Sequence, residues 1–73
     1  MKELYKHEVA LVGEKIKNIR TKLNISQQEL AYRAEVDIRT IQRAEKGEYG
    51  IGLDVLFAIA NSMDVDPTDF FKD

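Results

Sequence analysis

Two helix starts eleven residues apart, Ser26 and Asp37, constrain this chain more than any other feature. Ser26-Gln27-Gln28-Glu29 reads as a capping box: the serine hydroxyl accepts from the amide three residues on, while the glutamate reaches back. Behind it, Leu30, Ala31 and Ala34 form a short apolar face, which predicts a helix from about Gln27 to Ala34. Asp37 suits the next N-cap, because its carboxylate matches the unpaired amides and the positive end of a helix. Ile41 and Ala44 then face inward, and Gly47 stops that helix as the residue just beyond it. Only Glu35 to Asp37 remain for the connection, so two short helices must turn sharply on one another.

The flanks are helical as well. Val9, Val12, Ile16, Ile19 and Leu23 recur at alternating spacings of three and four, one stripe of an amphipathic helix that Asn24 is suited to end. Lys15, Lys17 and Lys22 fall mostly off that stripe. After a loop over 48–52, Leu53, Leu56, Phe57, Ala60 and Met63 predict a fourth amphipathic helix with Asp54 in its first turn. Asp66-Pro67 reads as a cap followed by proline at the first helical position, opening a last short helix that carries Phe70 and Phe71. No stretch alternates with period two for long enough to suggest a sheet. The expectation is a compact all-α bundle of five helices, one domain over 1–73, with 1–7 as a frayed extension.

Composition narrows the function classes. Without cysteine there is no disulfide, thiolate metal site or cysteine nucleophile, and His7 alone cannot build a relay or a metal cluster. No paired carboxylates and no phosphate-binding glycine loop stand out, since Gly50-x-Gly52 is too short for one; an enzyme with a cofactor or small-molecule substrate is not expected. The longest apolar run, Val55 to Ala60, is far shorter than the roughly 20 residues of a membrane span, and the N-terminus lacks a signal-peptide stretch. A cytoplasmic protein is the expectation. The formal charge of −2 hides an asymmetry: residues 1–24 carry +3, 25–47 balance, and 48–73 carry −5. A polyanion should therefore meet the first two-thirds of the chain.

From about Val12 to Phe71 the sequence resembles the phage repressor/Cro-like helix-turn-helix family, also called the xenobiotic-response-element family. The resemblance lies in GEKIKNIRTKLNISQQELAYRAEVDIRTIQRAEKG and LDVLFAIANSMDVDPTDFF, through Arg20, Ser26, Gln27, Leu30, Ala31, Val36, Ile41, Glu45, Gly47, Leu53 and Leu56. It implies a lambda-repressor-like bundle whose second and third helices form the helix-turn-helix, and a sequence-specific DNA-binding transcriptional regulator. It also implies that Arg20 and Glu45 pair across the bundle as a structural ion pair. With Ile41, Ala44 and Glu45 inward, the helix over 38–46 turns Ile38, Arg39, Gln42, Arg43 and Lys46 outward, and the resemblance makes it the recognition helix. Arg39 and Arg43, four apart and so on one face, suit guanine O6 and N7; Gln42 suits adenine; Ile38 suits a thymine methyl. Gln27, at the first turn of the preceding helix, is placed by resemblance against a DNA phosphate, with Gln28, Thr40, Lys46 and Tyr49 as further backbone contacts. Three positions depart from the family pattern: Glu35 where glycine is common, Glu48-Tyr49 where a basic residue is common, and Ala44 in place of a larger aliphatic.

One such motif touches few base pairs, whereas two copies about 34 Å apart read a palindrome, so a homodimer on double-stranded DNA is expected. Phe70 and Phe71 are adjacent and a helix cannot bury both against one core, so one ring is expected to cap the Leu56/Phe57/Ala60 cluster and the other to stand exposed. With Ile51 and Val65 they form the expected dimer surface. The alternative is a protein-binding module, such as an antitoxin or adaptor, docking a partner on the Phe70/Phe71 surface.

Overall fold

The structure is a computed structural model and describes residues 5–48 and 50–72. Its elements are α1 (Lys6–Lys22), α2 (Gln27–Ala34), α3 (Ile38–Lys46), α4 (Leu53–Ser62) and a 3-10 helix (Pro67–Phe71). No described residue lies in a strand. The bundle therefore has four α-helices, not five. Pro67 contributes no amide, Asp66 Oδ1 accepts from both the backbone and the hydroxyl of Thr68, and Asp69 N–H donates to Asp66 O at 2.9 Å. The chain turns extended at Lys72, so this segment is too short to set up an α-helical ladder and takes the tighter turn. At the other end α1 begins at Lys6, which makes residues 6 and 7 of the stretch expected to fray helical; residues 1–4 lie outside the described ones.

The caps set the boundaries. Glu29 N–H donates to Ser26 Oγ at 3.0 Å, but the reciprocal half of the capping box is not made: the Glu29 carboxylate instead accepts from Arg33 Nε at 2.8 Å, one turn on. Asp37 Oδ1 accepts from Arg39 N–H at 2.8 Å. That amide, then the charges of Arg39 and Arg43, hold the Asp37 carboxyl below the usual carboxylate range. Asn24, Glu35, Asp64 and Gly47 all sit in the left-handed region just past a helix end. For Gly47 that conformation is unstrained; for the others it crowds Cβ against the backbone.

Each of the five elements contributes one fully buried large side chain to the core: Ile16, Leu30, Ile41, Ile59 and Phe70. Ala31 and Ala34 are also buried, and their small size lets α3 and α4 approach α2 closely. Val36, in the turn, packs against this core. The inward stripe of α4 differs from the expected one. Leu56, Ile59, Ala60 and Met63 are buried, whereas Leu53 and Phe57 point to solvent. The helix LDVLFAIANS is apolar nearly all round, so periodicity alone allows two stripes, and packing against α2 and the 3-10 helix selects one.

The turn between α2 and α3 is closed by Glu35 N–H to Tyr32 O and Val36 N–H to Ala31 O, with Glu35 at φ 58°. Replacing it by glycine removes the Cβ crowding while keeping both bonds. Glu35→Gly should therefore raise stability by about 0.5–1 kcal/mol in urea unfolding, net of the freedom glycine adds to the unfolded chain.

Candidate nucleic-acid interface

α3 is held from two sides, by α1 and by α2. The contact with α1 is backbone on backbone. A Cβ built on Gly13 would run into the carbonyl oxygen of Ala44 and would sit 3.1 Å from that of Glu45. A Cβ on Gly47 would meet the main chain of Ala10 in return. No side chain larger than hydrogen fits at Gly13, and Ala44, smaller than the aliphatic usual there, lies against the same crossing.

The second anchor is ionic. Arg20, in the last turn of α1, donates from Nε to Glu45 Oε2 at 2.6 Å and from a terminal nitrogen to Glu45 Oε1 at 3.0 Å. Its other terminal nitrogen donates to Ile25 O at 2.8 Å. The bidentate fork leaves the Glu45 side chain only 4% exposed and that of Arg20 11%. Its hydrogen bonds to Glu45 raise the Arg20 pKa above its ordinary value, against the opposing effect of burial, so the guanidinium stays charged. Gln27 adds a fourth hydrogen bond to this cluster, its amide nitrogen donating to Glu45 Oε1 at 3.0 Å. The glutamine expected at a phosphate is thus half-buried and tied to the end of α3.

Anchored this way, α3 turns Ile41, Ala44 and Glu45 inward and leaves Ile38, Arg39, Gln42, Arg43 and Lys46 exposed together. Ile38 is 36% exposed, an apolar side chain at the rim of a cationic face. Arg39 extends into solvent with Nε 3.4 Å from Asp37 Oδ1, and Lys46 Nζ lies 3.9 Å from Glu48 at the far end. Both are solvent-exposed pairs of the kind that contribute little to stability. Of the expected backbone contacts, Gln28 is exposed at the start of α2 and Thr40 is half-buried on α3; Tyr49 lies outside the described residues.

The two C-terminal rings divide as expected, one inward and one outward. Phe70, named with the expected dimer surface, is 1% exposed and belongs to the core, reaching outward only as part of the floor of an apolar groove. Neighbours on a 3-10 helix are about a third of a turn apart, so one ring faces in and Phe71 faces out, 64% exposed. Val65 is half-buried against the core. Ile51 and Phe71 line an apolar groove of about 540 Å³ together with Val9, Leu11, Val12 and Leu53. The α1 side of this groove and Leu53 were not among the expected surface residues.

Two features of the site escaped sequence reasoning. A glycine inside an otherwise periodic helix is the one hint that Gly13 marks a close approach. The tie from Gln27 to Glu45 had no signal, because a polar residue at a helix start reads equally well as a surface group.

A family model described as helix-turn-helix matches residues 16–70. A Rhodospirillum rubrum protein, an uncharacterized transcriptional regulator in the ATPase CF(0) region, is 37% identical over 65 residues, 89% of this chain and 59% of that protein. A Pyrococcus furiosus protein named for a role as an HTH-type transcriptional regulatory protein is 36% identical over 67 residues, 88% of this chain and 21% of that protein. The chain spans less than two thirds of the length of either relative. The crystal structure of the restriction-modification controller protein C.AhdI from Aeromonas hydrophila is similar with a TM-score of 0.86 at 23% identity, over 89% of this chain and 98% of that one. That likeness establishes the fold.

The ionic anchor makes a stability prediction. Glu45→Ala strands a buried guanidinium and should lower unfolding free energy by about 3–5 kcal/mol, whereas Arg20→Met with Glu45→Leu together should lose much less. Urea unfolding of the three proteins measures both.

Proposed function

The chain belongs to the phage repressor/Cro-like helix-turn-helix family, and on that footing we propose that it is a sequence-specific DNA-binding transcriptional regulator. The observation that carries the proposal is the outward face of α3, where Arg39 and Arg43 stand exposed with Gln42 and Ile38 while Ile41, Ala44 and Glu45 fix the helix from behind. In this reading α3 enters the major groove. The arginines address guanine O6 and N7, Gln42 an adenine, and Ile38 a thymine methyl. Gln28, Thr40 and Lys46 lie against the phosphate backbone, and Glu48 beside Lys46 keeps that electrostatic contribution small. Gln27 meets a phosphate only with the one amide hydrogen that its bond to Glu45 leaves, since its carbonyl oxygen and the phosphate oxygens are all acceptors.

A modest backbone contribution is offset by two-site binding, and the protein acts as a homodimer on a short palindrome. The groove with Ile51, Leu53 and Phe71 on its walls supplies the apolar surface for the second copy. The competing role, docking a different protein on paired phenylalanine rings, is weakened because Phe70 lies in the core. Regulation is then steric: a dimer seated at a promoter blocks polymerase, and one beside it recruits polymerase.

Selection from a randomised duplex pool at two salt concentrations tests the DNA reading. A preferred site is expected, with affinity falling as salt rises, by a slope kept modest by the few phosphates each subunit neutralises. Arg39→Ala and Arg43→Ala should each weaken preference for that site by about 1–3 kcal/mol, and Arg39→Ala should leave the melting temperature near that of the natural chain. Absence of a preferred site together with a flat salt response would refute the proposal. For assembly, the natural chain should sediment as a dimer and Leu53→Ser with Phe71→Ser as a monomer that fills a palindrome only weakly. A natural chain that stays monomeric while filling the palindrome would refute the dimer.

A further inference from the structure

The exposed face of α3 carries an acid at its leading edge, and a carboxylate beside a polyanion calls for a reason. Capping does not supply one, because serine and asparagine cap as well as aspartate does and repel no phosphate. This same chain caps α2 with the neutral Ser26. What distinguishes Asp37 is its second partner. One oxygen, Oδ1, accepts the backbone N–H of Arg39 at 2.8 Å and stands 3.4 Å from Nε of the same residue. The carboxylate thus lies against Arg39, and the charges of Arg39 and Arg43 both favour its ionised form.

We propose that Asp37 is a positioning residue for base readout: its carboxylate holds Arg39 through Nε, so that the two terminal nitrogens are presented end-on to O6 and N7 of a guanine. This deepens the DNA-binding reading and rests on it. A guanidinium can meet guanine either with its two terminal nitrogens or with Nε and one of them; a carboxylate on Nε removes the second mode. Both side chains are largely exposed, 74% for Arg39 and 59% for Asp37, so the pair adds little to the fold. Its effect is on orientation. A long flexible side chain is held near one geometry before DNA arrives, and less freedom is lost on binding. The negative charge also lowers affinity for phosphate in general, which widens the gap between the right and the wrong sequence.

Asp37→Asn separates the roles, since asparagine keeps the cap and loses the charge. The preferred duplex is first selected with the natural chain, and the base pair read by Arg39 is found as the position whose preference disappears in Arg39→Ala. Discrimination is then the affinity ratio between that duplex and one with adenine replacing its guanine. For Asp37→Asn, discrimination should fall about fivefold or more, the lower end of what a bidentate arginine–guanine pair supplies. Affinity for unrelated duplex should hold or rise, and the melting temperature should stay near that of the natural chain. In an Arg39→Ala background the same change should leave discrimination unmoved. Full discrimination in Asp37→Asn, or an equal loss of affinity for all duplexes, would overturn the role of Asp37 while leaving DNA binding intact. If Arg39→Ala removes no guanine preference, the role is overturned too. If the natural chain selects no duplex, DNA binding itself falls, and this role with it.

Discussion

The bidentate bond between Arg20 and Glu45 is the contact on which the arrangement of helices depends. It joins the last turn of α1 to the last turn of α3, and through Ile25 O and the Gln27 amide it also holds the start of α2. Two charges taken out of water are stabilising only if every donor and acceptor finds a partner, and among the described residues no buried side-chain polar atom lacks one. The result is directional in a way that an apolar contact is not. Leucine at both positions could fill the same space, but it would permit α3 to slide or rotate by small amounts. The guanidinium fork permits one register.

Register matters because α3 has so little else to hold it. Its inward face is Ile41, Ala44 and the stem of Glu45, and its crossing with α1 is made of main-chain atoms around Gly13 and Gly47. The small residues set the distance between the helices, and the ion pair sets their relative position. Depth and angle of the exposed arginines follow from these two constraints together, since a helix face can be no better placed than the helix that carries it.

Much of this was legible in the sequence, and the reasons are local. Ser26, Asp37 and Gly47 mark helix ends through chemistry that acts within a few residues, and all three hold in the structure. Ile41 and Ala44 of the inward set of α3 were also legible from their spacing, whereas Glu45 was placed inward only by the family resemblance. What failed was less local. The stripe of α4 was misplaced because its helix is apolar on nearly every side, and only its neighbours decide which residues turn inward. The last segment was read as α-helical because a cap and a proline announce a helix without fixing its pitch. Glu29 forsook the capping box for Arg33, a choice between two partners that spacing alone leaves open. At the exposed face, the identity of the residues was readable and their couplings, Gln27 to Glu45 and Asp37 to Arg39, were not.

The economy of the α3 anchor has an evolutionary consequence. Because the inward face of α3 and the contacts around Gly13, Gly47 and Arg20 secure that helix, Arg39, Gln42 and Lys46 stand exposed outside the core. Substitutions there leave the core untouched, so a lineage carrying this scaffold can drift from one recognition sequence to another through folded intermediates. Innovation is confined to one side of nine residues, and the rest of the molecule serves as ballast that tolerates it.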